Sequence, residues 1–158
     1  MHPRAAELIR ILDLRPHPEG GHYREVFRSP AAVRPADGRG ERSALTAIIF
    51  LLPAGEFSRW HRLASDEVWH HYEGYPLEFV VLDGDLERCE RRLLGAAHGP
   101  VAEIPAGSWQ AARPMGAFAL AGCTVGPGFD FADFQLMADD DAAAEAVRRR
   151  FPDVAGLL

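Results

Sequence analysis

Imidazole and carboxylate crowd into one short stretch, RWHRLASDEVWHHYEG at residues 59–74, which holds three of the seven histidines and two of the three tryptophans. A histidine and an acid within reach of each other can hold a transition metal, pass a proton, or fix a ligand by hydrogen bonds. The backbone decides among these. Wound as a helix, the stretch aligns Trp60, Ala64, Val68 and Tyr72 on one stripe, and Glu67 with His70 takes the spacing of a carboxylate-bridged di-iron bundle. Such a bundle needs a second pair on another helix. The other Glu-x-x-His is Glu19-Gly20-Gly21-His22, where paired glycines after Pro18 oppose a helix. Extended as two strands around a turn at Ala64-Ser65-Asp66, the stretch sends Glu67, Trp69 and His71 to one face and Val68 and His70 to the other. His61 and Leu63 then share a direction, and Glu67 can meet them in a pocket.

The rest of the chain must frame that pocket. Residues 3–12 begin on Pro3 and set Ala5, Leu8, Ile9 and Leu12 on one face, which predicts a short opening helix. HPEGGHYREVFRSP reads as a turn followed by a strand, and AAVRPADGRGER as a mobile loop. From ALTAIIFLLP onward, short strand-like runs alternate with Gly and Pro: EVWHHY, PLEFVVL, LERCERRLL, VAEIP, WQAAR, FALAGCTV and FADFQLM. That pattern predicts a mainly β sandwich or barrel. Asp139, Asp140 and Asp141 ahead of Arg148, Arg149 and Arg150 suit the two ends of a closing helix.

Composition removes several function classes. The 158 residues fit one domain, and 47% hydrophobic against 25% charged is the balance of a soluble globular chain. A net charge of −6 argues against a nucleic-acid partner, because binding a phosphate backbone draws on clustered cations. No apolar run approaches membrane-spanning length, so no membrane partner is expected. MHPRAAELIRILDLRP lacks a secretory signal pattern, and the expected location is the cytoplasm. Cys89 and Cys123, each in a strand-like run, are expected as buried thiols. Every cation is arginine, which removes Schiff-base chemistry and a lysine base.

Two spaced motifs go further. Gly55, His61, Glu67 and Gly74 stand at the intervals of a first motif in which Leu63 replaces a second histidine. Gly99, Pro105 and Gly107 follow in the register of a second, with Gln110 in place of its histidine and Pro114 in place of its asparagine. In these residues, motif one at 55–74 and motif two at 99–114, the chain resembles the cupin superfamily. With HPEGGHYREVFRS, IPAGSWQAARP and GPGFDFADFQL it resembles a small, mostly uncharacterised cupin branch similar in shape to the nucleotide-sugar epimerases. The resemblance implies a single cupin domain over residues 1–158: a double-stranded β-helix jelly-roll barrel with short N- and C-terminal helices, assembled as a homodimer.

Three chemistries remain open on that frame. A cupin metal site generally takes three histidines and one glutamate, whereas here a divalent ion would have to rest on His61, Glu67 and Gln110, with His71 as a further donor. Without an ion no cofactor is required: His61 suits a general base, and Glu67, lodged among tryptophan and leucine, suits an acid. The resemblance to the epimerases implies a tyrosine acid opposite the histidine. Tyr23, on a strand outside both motifs, is favoured over Tyr72 and Tyr75, and Asp130 or Asp133 could orient His61. The third chemistry is binding without turnover, in a cavity lined by Trp60, Trp69, Trp109, Phe79 and Phe118. There His61, Glu67, Gln110 and His71 would fix a small-molecule ligand, and Arg59 and Arg113 an anionic group on it. Equally, those arginines would pair with acids at the rim. His2, His17 and His98 lie in polar turns where nothing suggests function, and His70 is expected outside. Metal-independent, isomerase- or epimerase-like proton transfer on a carbohydrate-like or other carbonyl compound comes first. A non-catalytic ligand-binding protein is the alternative, and a degenerate metal-dependent oxygenase the third.

Overall fold

The alternating runs fold as two antiparallel sheets laid face to face, described over residues 1–158 in a computed structural model. In chain order the elements are α1 (Pro3–Ile11), β1 (Arg15–Pro16), β2 (His22–Arg28), β3 (Ala32–Val33), β4 (Arg42–Ser43), β5 (Thr46–Pro53), β6 (Ser58–Leu63) and β7 (Asp66–Gly74). They continue with β8 (Leu77–Leu82), β9 (Cys89–Leu94), β10 (Val101–Ile104), β11 (Trp109–Pro114), β12 (Phe118–Gly126), β13 (Phe134–Leu136) and α2 (Asp141–Arg150). One sheet runs β1-β2-β5-β12-β7-β10, the other β13-β6-β11-β8-β9, and β3 pairs with β4 in a small ribbon. The mainly β jelly-roll class and both terminal helices therefore stand as expected, and residues 59–74 are two strands. Because β6 and β7 belong to different sheets, the turn at Ala64 and Ser65 carries the chain from one to the other.

Alternation sorts the side chains into three layers. Between the sheets lie Phe50, Leu52, Trp69, Phe79, Val81, Ala112 and Cys123, all buried. On the outer face of the five-stranded sheet, α2 covers Trp60, Val80, Leu82 and Trp109, whereas α1 covers Leu51, Phe118 and Leu120 on the other sheet. Burying each large apolar side chain contributes roughly 1.5–3 kcal/mol. The α2 helix has the ends its charges foretell, with the Asp140 side chain accepting from Ala143 N and three arginines in the last turn.

Three expectations need correction. AAVRPADGRGER is pinned rather than mobile: β3 pairs with β4, and Arg39 and Arg42 bind Asp133 at 2.8 to 3.0 Å. FADFQLM is a strand only at Phe134–Leu136, because Asp130 accepts from Ala132 N at 2.9 Å and winds Phe131–Asp133 into a 3-10 turn. Cys89 is half-buried, on a strand that starts only after the Asp83 carboxylate has accepted from the Glu87 and Arg88 amides. No helix is long and apolar enough to cross a membrane.

Candidate functional site

The site begins in a turn. Gly20 has φ +111° and a Cβ there would stand 2.1 Å from the Phe57 carbonyl oxygen; at Gly21, with φ +69°, one would stand 2.7 Å from the Leu52 side chain. Only glycine fits both positions. The resulting turn closes through Gly20 N–H to His17 O and His17 N–H to Gly21 O, both 3.0 Å. It delivers His17 and Glu19 to a cavity of about 490 Å³ that is also walled by β2, β5, β6, β7 and β12.

Bulges then decide which strand residues reach that cavity. In β6, Gln110 lies opposite His61 but Ala112 lies opposite Ser58, so one extra residue is spent and Ser58 returns to the inner face in place of Arg59. In β2, Glu25 lies opposite Ile48 and Arg28 opposite Thr46, which brings both Glu25 and Arg28 to the cavity wall. The inner wall also holds Tyr23, Leu63, Glu67, Trp69, Cys123 and Val125, with Phe129, Asp130 and Phe131 beside Arg28.

Hydrogen bonds set the proton positions. His61 Nδ1 lies 2.8 Å from the Arg59 carbonyl, which only accepts, so Nδ1 carries the proton and Nε2 keeps its lone pair. That Nε2 lies 3.4 Å from Glu19 Oε2, while Glu19 Oε1 accepts from Ser58 Oγ at 2.8 Å. His17 Nδ1 accepts the Glu19 backbone N–H at 3.2 Å, which leaves its proton on Nε2. Burial pushes the Glu19 carboxyl up to about 8, against the Ser58 hydrogen bond and the Arg59 charge. Burial likewise raises Glu67 to about 7, opposed by His61 and assisted by Glu19. Desolvation lowers His17 to about 4, helped by His61, and lowers His61 against the pull of Glu67. The close approach of Glu19 to His61 is therefore a contact between neutral groups at pH 7, not an ion pair.

His61, Glu67 and Trp69 thus line one cavity, as their spacing suggested, together with Tyr23 from the strand outside both motifs, and Gln110 sits directly behind them. The remaining expected residues lie elsewhere. Arg59 turns its guanidinium to the carbonyls of Pro18 and Glu19 and staples the glycine turn to β6. Arg113 pairs with Glu78 at 2.6 Å on the neighbouring strand, Phe118 packs under α1, and the His71 Nε2 meets the Tyr75 carbonyl at 3.1 Å. Trp60 and Trp109 point away from the cavity, under α2, and Phe79 lies in the inner core. Neither aspartate orients His61: Asp133 is held by Arg39 and Arg42, and Asp130 caps its own turn. His17, set aside as a turn residue, is a cavity residue, and Glu19 is the acid that faces His61. Their one signal was the Gly-Gly pair, read only as a bar to helix.

The orientation of Gln110 bears on a metal. Trp69 Nε1 can only donate, so the atom 3.2 Å from it is assigned as Gln110 Oε1, and the amide nitrogen then faces Glu67 Oε2 at 2.6 Å. The one Gln110 atom able to ligate is engaged by the indole, and Leu63 offers no donor. No group of three His, Cys, Asp or Glu side chains is disposed to hold an ion. The set His61, Glu67 and Gln110 does not fit a transition metal.

Residues 6–137 match the family described as "Cupin superfamily (DUF985)". A hypothetical protein from Leishmania major is similar at 30% identity and TM-score 0.84, over 97% of this chain and 95% of its own. A protein from Shewanella oneidensis is similar at 33% identity and TM-score 0.81, over 97% and 93%. Bacillus subtilis oxalate decarboxylase, at 16% identity and TM-score 0.61 over 93% of this chain and 37% of its own, shares the fold alone. No curated protein matches.

Proposed function

The chain belongs to the DUF985 family of the cupin superfamily, and from its cavity we propose that it binds a small carbonyl compound, carbohydrate-like in class, and moves a proton on it without a metal. One observation carries this reading: the His61 lone pair on Nε2 lies inside the cavity beside two acids that burial lifts well above the ordinary carboxylate range. A neutral imidazole base and a carboxylic acid that keeps its proton to near neutral pH, in one enclosed space, are what enolisation requires.

In this reading the C–H bond next to the carbonyl breaks and its proton passes to His61 Nε2. The electron pair left behind forms the enol double bond, while the carbonyl oxygen takes the Glu67 proton. Return of a proton from the Tyr23 hydroxyl to the other face of that carbon, as the enol O–H proton goes back to Glu67 and the carbonyl re-forms, would invert the carbon. The imidazolium and tyrosinate left behind reset by proton exchange with solvent. Ser58 and Arg59 hold Glu19 and His61 in place, and the Gln110 amide holds Glu67.

The test is deuterium incorporation from heavy water into aldoses, ketoses and lactones, followed by mass spectrometry. Exchange with wild type that falls roughly 10²- to 10⁴-fold in His61→Ala is the expected result. Equal exchange in both proteins removes His61 as the base, and binding without exchange in wild type favours a ligand-binding protein. A homodimer belongs to the same reading; a monomer by sedimentation velocity at micromolar concentration would remove it.

A further inference from the structure

Charge around the cavity narrows the ligand class further. Four acids line it, Glu19, Glu25, Glu67 and Asp130, against one arginine, Arg28. Each nitrogen of that arginine is already paired: Nε and Nη2 bind Glu25 at 2.9 and 2.7 Å, and Nη1 donates to the Phe129 carbonyl at 3.2 Å. The nearby Arg59 is likewise spent on backbone carbonyls, and Arg113 on Glu78. An incoming phosphate or carboxylate therefore meets two rim carboxylates and no arginine without a partner. The deeper wall is donor-rich, because His17 carries its proton on Nε2, Tyr23 offers a hydroxyl, and burial holds the Glu19 proton and, up to about pH 7, that of Glu67. Such a wall suits carbonyl, ether and hydroxyl oxygens.

We propose that the cavity selects an uncharged, oxygen-rich compound and rejects phosphorylated or otherwise anionic ones, with Glu25 and Asp130 as the specificity-determining residues. The inference rests on the cavity being the ligand site proposed above. Sugar phosphates and nucleotide sugars are then excluded as substrates, and free sugars, lactones or similar neutral carbonyl compounds remain.

Inorganic pyrophosphate is the probe. It is titrated into ¹⁵N-labelled wild type, Glu25→Gln and Glu25→Gln/Asp130→Asn, reading the Trp69 indole and Thr46 amide signals. Wild type should show no saturable shift at millimolar pyrophosphate, Glu25→Gln should gain one as Arg28 is released, and the double variant should bind about tenfold tighter still. Saturable binding to wild type at those signals overturns the proposal. So does the absence of any gain in both variants while the Trp69 indole signal stays native, or a larger cavity response to glucose 6-phosphate than to glucose. Deuterium exchange plays no part in this readout, so a silent exchange assay removes the catalytic reading and leaves the charge selection intact, and anion binding does the reverse.

Discussion

Trp60 and His61 are neighbours on one strand and almost equally buried, at 1% and 2% exposure, yet they belong to different kinds of interior. Trp60 faces the layer under α2, among Val80, Leu82, Trp109 and Val147, and its one polar atom donates to the Val154 carbonyl at 3.0 Å. His61 faces the cavity, where burial has been imposed on groups that would otherwise carry charge. The first interior is apolar and satisfied, and it holds the sheet to the helix. The second keeps protons on carboxyls and off imidazoles, which costs stability and leaves groups ready to exchange a proton. Burial alone does not distinguish a core from a site; the protonation state it forces does.

The largest test of this contrast is Trp60→Ala, expected to cost roughly 3–5 kcal/mol in urea denaturation. His61→Ala should cost clearly less, and a loss as large as that of Trp60→Ala would erase the distinction. Next is Gln110→Leu, which leaves the Glu67 carboxyl and the Trp69 indole N–H without their partner, at about 1–3 kcal/mol for each unpaired group. An unchanged midpoint would mean that the amide bridge contributes nothing.

Smaller but sign-specific is the pH dependence of stability. Glu19 and Glu67 hold their protons more tightly folded than unfolded, rising from 4.5 to about 8 and about 7, so their contribution is complete below 4.5 and is lost as pH climbs through those folded values. His17 runs the other way, from 6.5 to about 4: its contribution is present above 6.5 and lost as pH falls toward 4. Between pH 6.5 and 8 only the carboxyls act, both up to about 7 and Glu19 alone beyond it, so stability should fall on the order of 1 kcal/mol per pH unit for each carboxyl still protonated in the folded state. Glu19→Gln should flatten that decline, and a decline unchanged in the variant would remove Glu19 as its source. The smallest effect belongs to Arg113→Ala, whose exposed pair with Glu78 should change stability by no more than about 1 kcal/mol and leave cavity signals in place.

The meeting of His61, Glu67 and Gln110 was legible because motif spacing encodes which strands face one another, and the Gly and Pro framework that marks it is local. Tyr23 was legible only as a residue on a strand outside both motifs: alternation, unbroken up to Glu25, opposes it to His22 and Arg24 but does not say which set faces the cavity. Bulges defeat that logic. An extra residue in β6 replaces Arg59 with Ser58 on the inner face, and another in β2 turns Arg28 inward, and nothing in residue type announces either shift. His17 and Glu19 were hidden differently, since HPEGG has the composition of an exposed turn and only its fit against Phe57 and Leu52 makes it a wall of the cavity. The outward set of Trp60 was there to read, as strict alternation already opposed it to His61.

The most direct measurement is a ¹³C titration of the Glu19 and Glu67 side-chain carboxyls, assigned with Glu19→Gln and Glu67→Gln. Midpoints near 8 and 7, with the His61 imidazole neutral and protonated on Nδ1 at pH 7, are the predicted result. Both carboxyls titrating near their free value of 4.5, beside an imidazolium at neutral pH, would contradict the account.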